Sequence, residues 1–244
     1  MTHLATNSPE QKERVILNKL PSDISMGAVT LRVAAFDKML TYYTDAIGLE
    51  ILSATADSAV LGKSGQPAMI LEHSPALKHA SPSDAGLFHT AFLFDSRAEL
   101  AATVASVATK HPGTFTGSAD HLVSEAFYFD DPEGNGVELY FDRERTSWSW
   151  QHGQVKMDTL FLDPQQYLAE HQVTQNPVAS RVGHVHLSVG NIQQARDFYV
   201  DKLGFEVTMD WGGTALFVSA GGYHHHMAMN IWRSRGAGIR QQTL

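Results

Sequence analysis

The chain has 244 residues, of which 43% are hydrophobic and 18% are charged, with a formal net charge of −8. The acidic balance argues against a nucleic-acid backbone or an anionic membrane as the main partner, and no stretch is apolar enough to span a bilayer. Because the chain has no cysteine, disulfides and cysteine nucleophiles are excluded, and any metal must be held by imidazole and carboxylate groups. We therefore expect a cytoplasmic protein, and the positions of its 13 histidines need attention.

A pattern of a strand followed by a helix occurs near both ends of the chain. Residues 27–52 begin with alternating apolar residues, continue into apolar positions at helical spacing and reach Gly48; residues 183–208 repeat this pattern and reach Gly204. A glycine can adopt the left-handed conformation that ends a helix, so a strand is predicted after each one. The predicted buried helical positions are Met39, Tyr42, Tyr43 and Ile47 in the first segment and Ala195, Phe198, Tyr199 and Leu203 in the second.

A third copy of the pattern lies between these two segments. His89–Phe94 alternates as a strand, residues 95–110 have helical spacing, and Glu125–Phe129 and Val137–Phe141 are predicted strands on either side of a turn at 131–136. Each copy therefore consists of one strand, one helix and about three strands. We predict an α+β fold of tandem βαβββ modules that form cupped mixed sheets.

The modules divide the chain into predicted domains. Residues 1–23 form a polar N-terminal extension, and residues 24–147 form a first domain that contains modules one and two. Residues 148–180 are irregular and are interpreted as a linker, with a short helix near 165–171. Residues 181–244 contain the third module, as an incomplete second domain.

The βαβββ repeat resembles the vicinal oxygen chelate superfamily, which includes glyoxalase I, extradiol dioxygenases and fosfomycin-resistance proteins. The phrases that carry the resemblance are Asp131-Pro132-Glu133-Gly134-Asn135, His184-Val185-His186-Leu187-Ser188-Val189 and Ala220-Gly221-Gly222-Tyr223-His224-His225-His226. The last phrase, with Met227–Trp232 after it, is similar to the third module of bacterial catechol 2,3-dioxygenases. Because one fold serves many reactions, the phrases favour this subgroup more strongly than the fold does.

The resemblance implies a metal site inside a cup made by two modules. In this family the ligands come from the first residue of a module's first strand and from the start of its last strand, which here gives His89, Glu138 and His184. Two imidazoles and one carboxylate suit iron(II) with a catecholate and dioxygen, and manganese(II) is an alternative. His186 shares a strand face with His184 and is a rival that the family pattern places in the pocket. Glu138 alternates with apolar neighbours, so it is either a buried charge that needs a cation or a residue of a solvated face.

Three further residues are candidates for acid–base chemistry. The resemblance implies a histidine on the last strand of module three, near the dioxygen site; the phrase favours His225, with His226 as the alternative. A general acid with a pKa near the working pH would assist proton transfer there. His121 and Tyr128 resemble the histidine and tyrosine that hydrogen-bond the ring oxygens, although Tyr128 could be a core aromatic. Wall or core residues are Phe92, Phe94, Trp211 and Trp232.

The resemblance implies an extradiol ring-cleaving dioxygenase that acts on a small aromatic diol with O2. One alternative is a glyoxalase-type isomerase or lyase, which would use a second carboxylate where module three has Met229-Asn230; another is an inactive, truncated member that binds a metal or small molecule. Compared with four-module members, the chain stops before a fourth module, so we expect modules two and three to pair around the metal. Module one would then expose a sheet edge and an apolar face, which predicts a homo-oligomer.

Overall fold

The predicted repeat is present in the computed structural model, which describes residues 19–171, 177, 181–240 and 243–244. Module one consists of β1 (Val29–Val33), α1 (Phe36–Thr41), β2 (Glu50–Ala54), β3 (Ser58–Lys63) and β4 (Gln66–His73). Module two consists of β5 (Gly86–Phe94), α2 (Arg97–Lys110), β6 (Phe115–Asp120), β7 (Ser124–Asp130) and β8 (Gly136–Asp142).

Short elements lie between the second and third modules. They are a 3₁₀ turn (Arg145–Ser147), β9 (Trp150–Gln151), β10 (Gln154–Val155), β11 (Leu160–Phe161) and α3 (Pro164–Glu170). Module three then consists of β12 (Arg181–Ser188), α4 (Ile192–Arg196), β13 (Glu206–Trp211), β14 (Ala215–Ser219) and β15 (Met227–Asn230). The expected short helix is α3. The Asp163 side chain caps it by accepting hydrogen bonds from the backbone N–H groups of Gln165 and Gln166, and Pro164 suits the first position because no helical hydrogen bond is lost there.

The predicted domain boundaries stay predictions. Most of the N-terminal extension and part of the linker lie outside the described residues. Among the helices that the structure does describe, none is long and apolar enough to cross a membrane.

Modules two and three share one nine-stranded sheet of order β11-β6-β7-β8-β5-β12-β15-β14-β13. The two modules meet where β5 and β12 pair in an antiparallel manner, with Thr90 opposite Val185. Module one forms a separate four-stranded sheet of order β1-β4-β3-β2. The expected pairing of modules two and three is therefore confirmed.

Alternation gives the central strands of the large sheet two different faces. On β8, Val137 and Leu139 face the main hydrophobic core, which this sheet shares with α2 and module one. Glu138 and Tyr140 face the other side, and both are buried. The fold therefore covers both faces of β8, and the solvated alternative for Glu138 was wrong.

The helical prediction is confirmed for module one and was wrong in part for module three. Met39 and Ile47 are fully buried, and α1 continues as a π-helical turn that packs against α2. In module three, Phe198 is 47% exposed and Leu203 is 41% exposed. The helical segment of module three is buried only on the side that faces its own sheet, so part of its apolar stripe meets solvent.

The exposed apolar face expected on module one was also wrong for the described residues. Leu31 and Val33 of β1 face the main core, whereas the exposed Thr30 and Arg32 point the other way. The apolar side of this module is covered by modules two and three. Self-association of the chain stays a prediction, which light scattering would test.

Candidate metal centre

Four neighbouring strands bring the candidate residues into one row across the large sheet. The row consists of Tyr128 on β7, Glu138 on β8, Ala91 on β5 and His184 on β12. His89 lies two residues before Ala91 and therefore faces the same side. Because the residue between Glu138 and His184 is an alanine, the row leaves room for both functional side chains.

The side chains of His89, Glu138 and His184 converge. Each offers one ligand atom, and these atoms lie within 4.8 Å of one another. The Nε2 atoms of His89 and His184 lie 2.9 and 3.0 Å from the same carboxylate oxygen, Oε2 of Glu138. Despite this close approach, His89 Nε2 has no hydrogen-bond partner among the described residues. A buried nitrogen without a partner is costly unless a bound group such as a metal ion completes it.

The electrostatics of Glu138 and His184 favour the forms that bind a metal. Burial pushes the pKa of Glu138 upward, but the neighbouring His184 and His89 outweigh burial and hold that pKa well below its usual value. Burial lowers the pKa of His184. An ionised carboxylate beside a neutral imidazole is the donor state that a divalent metal requires.

The rival His186 lines the same cavity but does not join this cluster. Its ring centroid lies 4.9 Å from that of His89, yet the Asn230 side-chain amide donates a hydrogen bond to its Nε2 atom at 3.0 Å. The orientation of that amide is fixed, because its oxygen accepts a hydrogen bond from the Trp232 backbone N–H. The lone pair that would bind a metal is therefore already engaged.

His121 and Tyr128 form a hydrogen-bonded pair on the wall of the cavity. The Nδ1 atom of His121 lies 2.8 Å from the carbonyl oxygen of Asp158, which can only accept, so Nδ1 carries the hydrogen. In the neutral imidazole the Nε2 atom of His121 then carries the lone pair, and the Tyr128 hydroxyl donates to it at 2.7 Å. Burial, with a contribution from Glu138, raises the pKa of Tyr128 well above its usual value. Tyr128 is thus a protonated hydroxyl at the cavity rather than a core aromatic.

The three consecutive histidines, His224–His226, were expected on the last strand of module three, but they do not lie on a strand. Strand β15 begins at Met227, after these residues, so the expectation that the histidine lies on the last strand of module three was wrong. His225 nevertheless lines the cavity, with its ring centroid 4.1 Å from that of His184. His226 is turned elsewhere and accepts a hydrogen bond from the Ala220 backbone N–H.

The pKa expected for His225 was also wrong. Burial, together with neighbouring histidines including His184, lowers the pKa of His225 well below its usual value. The neutral form of its imidazole is therefore favoured, whereas the general acid that was predicted would need the protonated form.

The cavity beside these residues has a volume of about 780 Å³, which is large enough for a substituted aromatic ring. Phe88 and Trp232 line it, with their rings edge to face at 5.5 Å between centroids. Trp211 also lines it, as predicted, whereas Phe92 and Phe94 belong to the main core on the opposite face of the sheet. Of the two alternatives left open for these aromatic residues, the tryptophans are wall residues and the phenylalanines are core residues.

Sequence reasoning missed the residues that support His225 from behind. The carboxylate of Asp142 accepts hydrogen bonds from the Nε2 atom of His224 and from the hydroxyl of Tyr223, each at 2.8 Å. The hydroxyls of Tyr140 and Tyr223 are also 2.8 Å apart. Period-two alternation along β8 could have found two of them, since Tyr140 and Asp142 follow Glu138 at steps of two residues.

Comparisons with known proteins agree with this architecture. The sequence profile of the Glyoxalase/Bleomycin resistance protein/Dioxygenase superfamily matches residues 25–139 and 181–241. The chain is 38% identical over 228 residues to the catechol-2,3-dioxygenase of Bacillus subtilis (strain 168), covering 91% of this chain and 79% of the relative.

A similar fold is found among solved structures. The crystal structure of a proposed dioxygenase from Bacillus subtilis subsp. subtilis strain 168 superposes with a TM-score of 0.60 at 16% identity, covering 85% of this chain. The present chain spans 64% of the length of that protein, and at this identity the likeness shows the fold alone. Because the family profile covers most of the chain and a relative aligns along nearly all of it, the protein is an enzyme of the Glyoxalase/Bleomycin resistance protein/Dioxygenase superfamily.

Proposed function

We propose that the protein is a non-haem iron(II) extradiol dioxygenase that opens the ring of catechol or a substituted catechol with O2. The observation that carries this proposal is the convergence of three buried ligand side chains, His89, Glu138 and His184, on the cavity that Tyr128 and His225 also line. The relative with 38% identity, named catechol-2,3-dioxygenase, supports it.

His89, Glu138 and His184 would hold the iron. Two imidazoles and one carboxylate are a donor set that suits iron(II), with manganese(II) as the alternative, and the buried Nε2 atom of His89 has no other partner among the described residues. When bound, iron(II) would supply the Lewis-acid and redox chemistry that a catecholate and O2 require.

The other residues of the cavity would bind and deprotonate the diol. Because its hydrogen is donated to His121, the Tyr128 oxygen can accept a hydrogen bond from one ring hydroxyl of the diol. The neutral imidazole of His225 can accept a proton from a substrate hydroxyl. Phe88 and Trp232 provide apolar walls that would hold the ring and exclude water.

The alternative of a glyoxalase-type isomerase or lyase would require a second carboxylate from module three. The corresponding residue is Asn230, whose amide is occupied by His186 and by the Trp232 backbone. The donor set therefore favours the dioxygenase.

The test is anaerobic reconstitution of the metal-free protein with iron(II), followed by catechol and air, with the yellow ring-cleavage product as readout. We expect colour from the wild type and none from Glu138→Ala or His184→Ala. Glu170→Ala, which changes an exposed carboxylate of α3, is the matched control and should retain activity. Bound iron without colour, across a set of substituted catechols, would refute the dioxygenase and direct the search to isomerisation of hemithioacetals. Failure to bind iron would instead support a small-molecule binding protein.

A further inference from the structure

A chain of hydrogen bonds lies behind His225, and the reaction proposed above does not yet use it. The carboxylate of Asp142, at the end of β8, lies 2.8 Å from His224 Nε2. The Nδ1 atom of His224 lies 2.7 Å from the Nδ1 atom of His225. His224 is completely buried, whereas the ring of His225 borders the cavity. The chain therefore connects a carboxylate outside the cavity with a histidine inside it.

The direction of these hydrogen bonds follows from what each atom can do. An ionised carboxylate has no proton to donate, so His224 Nε2 must be the donor to Asp142. In a neutral imidazole the other nitrogen then carries a lone pair, and His224 Nδ1 accepts the Nδ1–H of His225. His225 is thereby held in the tautomer whose lone pair is on Nε2. Within the part of the chain that the structure describes, this Nε2 atom has no hydrogen-bond partner.

Asp142 and His224 are themselves held in place by further hydrogen bonds. The second oxygen of Asp142 accepts the hydroxyl of Tyr223, which in turn is hydrogen-bonded to Tyr140. The backbone carbonyl of His224 accepts the Thr208 hydroxyl at 2.5 Å. A buried network in which every donor has an acceptor restricts rotation of its side chains. The carboxylate of Asp142 and the ring of His224 therefore cannot easily rotate into an arrangement in which donors and acceptors are exchanged.

We infer that His224, oriented by Asp142, is a positioning residue that fixes the tautomer of His225 so that a lone pair faces the substrate hydroxyl. This inference rests on the proposed function, because it assigns His225 the task of accepting a proton from the diol. The opposite tautomer would present an N–H group to that hydroxyl and could not accept its proton. A histidine that served only as core packing would place no such constraint on its neighbour.

The first experiment measures the tautomers directly and needs no turnover. The full-length protein, ¹⁵N-labelled at histidine and loaded with diamagnetic zinc(II), is studied by long-range ¹H–¹⁵N correlation spectroscopy. We expect His225 to be protonated at Nδ1 and His224 at Nε2, with assignments from the single variants His225→Gln and His224→Gln. A His225 ring protonated at Nε2 would overturn the inference, whether or not the protein cleaves catechols.

The second experiment asks whether the tautomer matters for the reaction. His224→Phe keeps an aromatic ring but removes both nitrogens. It should lower kcat for ring cleavage roughly 10- to 100-fold, as the loss of an orienting hydrogen bond commonly does, with KM and iron content unchanged. In the same variant, the His225 signals should shift towards the Nε2–H form.

The control is His111→Phe, which makes the same change at a histidine that packs against Tyr42 away from the cavity. It should leave kcat and the His225 tautomer unchanged. Wild-type kcat in His224→Phe, with His225 still protonated at Nδ1, would show that His224 is packing only. If His224→Phe does not fold, the tautomer of His225 measured in the wild-type protein tests the inference on its own. If the wild type cleaves no catechol, the proposed function fails, and the spectrum still tests the hydrogen-bonded chain separately.

Discussion

Glu138 and His184 belong to different modules and lie 46 residues apart in the chain, yet Oε2 of one is 3.0 Å from Nε2 of the other. The contact exists because β5 pairs with β8 on one side and with β12 on the other. A metal held by both residues would therefore connect modules two and three, and its binding energy would stabilise the joint between them.

Metal loading should consequently stabilise the fold through Glu138. A ligand that binds only the folded state at about 100 times its Kd adds about 2.7 kcal/mol to the free energy of unfolding. Anaerobic iron(II) should raise the Tm of the wild type, whereas Glu138→Gln should bind less metal and show little rise. Calorimetry combined with metal analysis checks this prediction, with Glu170→Gln as the control. Equal iron-dependent rises in the Tm of Glu138→Gln and Glu170→Gln would show that Glu138 does not bind the metal.

His184 and His186 offer a matched pair of substitutions on one strand. His184→Gln should reduce bound iron to a small fraction of the wild-type value. His186→Gln should retain it, because the Nε2 atom of His186 already accepts the Asn230 amide. Metal analysis of the two reconstituted variants separates the roles, and loss of iron from His186→Gln alone would reverse the assignment.

Much of this arrangement could be predicted from the sequence, because the relevant signals are local and periodic. Alternation along β8 placed Glu138 on the face opposite to that of Val137 and Leu139, and in the structure the residues on both faces are buried. The pairing of modules two and three was inferred from the resemblance to four-module members of the family, and the shared sheet agrees with it. Choosing His184 over His186 needed the family pattern, since both histidines occupy the same strand face.

The features that could not be predicted from the sequence depend on contacts that periodicity does not encode. Phe198 continues an apolar stripe, but whether a second layer covers that stripe depends on which helices lie nearby in space. The position of His225 depends on a loop that precedes β15, where strand alternation does not apply. The hydrogen bond between Asp142 and His224 joins residues 82 positions apart, and only the folded sheet brings them together.

The Tyr128 hydroxyl should contribute to turnover rather than to metal binding. Tyr128→Phe removes the group that would hydrogen-bond the substrate and that now donates to His121. We expect kcat to fall roughly 100-fold, at the low end of the range for acid–base groups, with iron content unchanged. Tyr42→Phe is the control, because the buried hydroxyl of Tyr42 has no hydrogen-bond partner in the described structure. Steady-state kinetics of both variants would settle the point, and similar kcat values would contradict it.

Glu125 on β7 should make stability depend on pH. Its carboxylate accepts hydrogen bonds from Arg97 at 2.7 and 2.9 Å and from Arg143 at 3.1 Å. Burial pushes the pKa of Glu125 upward, but the two arginines outweigh burial and lower that pKa below its usual value. A carboxyl with a lowered folded pKa stabilises the protein above the unfolded pKa, and the contribution is lost as pH falls through the folded pKa.

Glu125→Gln should therefore reduce the free energy of unfolding by about 2 kcal/mol at pH 7, the size of a hydrogen bond to a charged group. The difference from wild type should shrink below about pH 4, where the unfolded carboxyl is protonated. Urea unfolding of both proteins at several pH values measures it. A difference that stays constant down to acid pH would mean that the arginines do not hold an ionised Glu125.

Gly183 precedes His184 and should be intolerant of any side chain. A Cβ atom there would lie 1.7 Å from the hydroxyl oxygen of Tyr140 and 3.0 Å from Leu93 Cβ. Gly183→Ala must therefore displace Tyr140 or shift β12, and overpacking of this kind costs about 1–3 kcal/mol. Because Gly183 adjoins His184, which is proposed to bind the metal, iron affinity should fall as well. Gly117→Ala on β6, where a Cβ meets nothing within 4 Å, is the matched control.

The clash at Gly183 can be assigned to one atom by a double variant. Tyr140→Phe removes the oxygen that the new methyl group would meet first, so Gly183→Ala should cost less in that background than in the wild type. Thermal unfolding and iron titration of the four proteins complete the cycle. If Gly183→Ala has wild-type stability, or costs the same in both backgrounds, then the close approach of β12 to Tyr140 does not determine the position of His184.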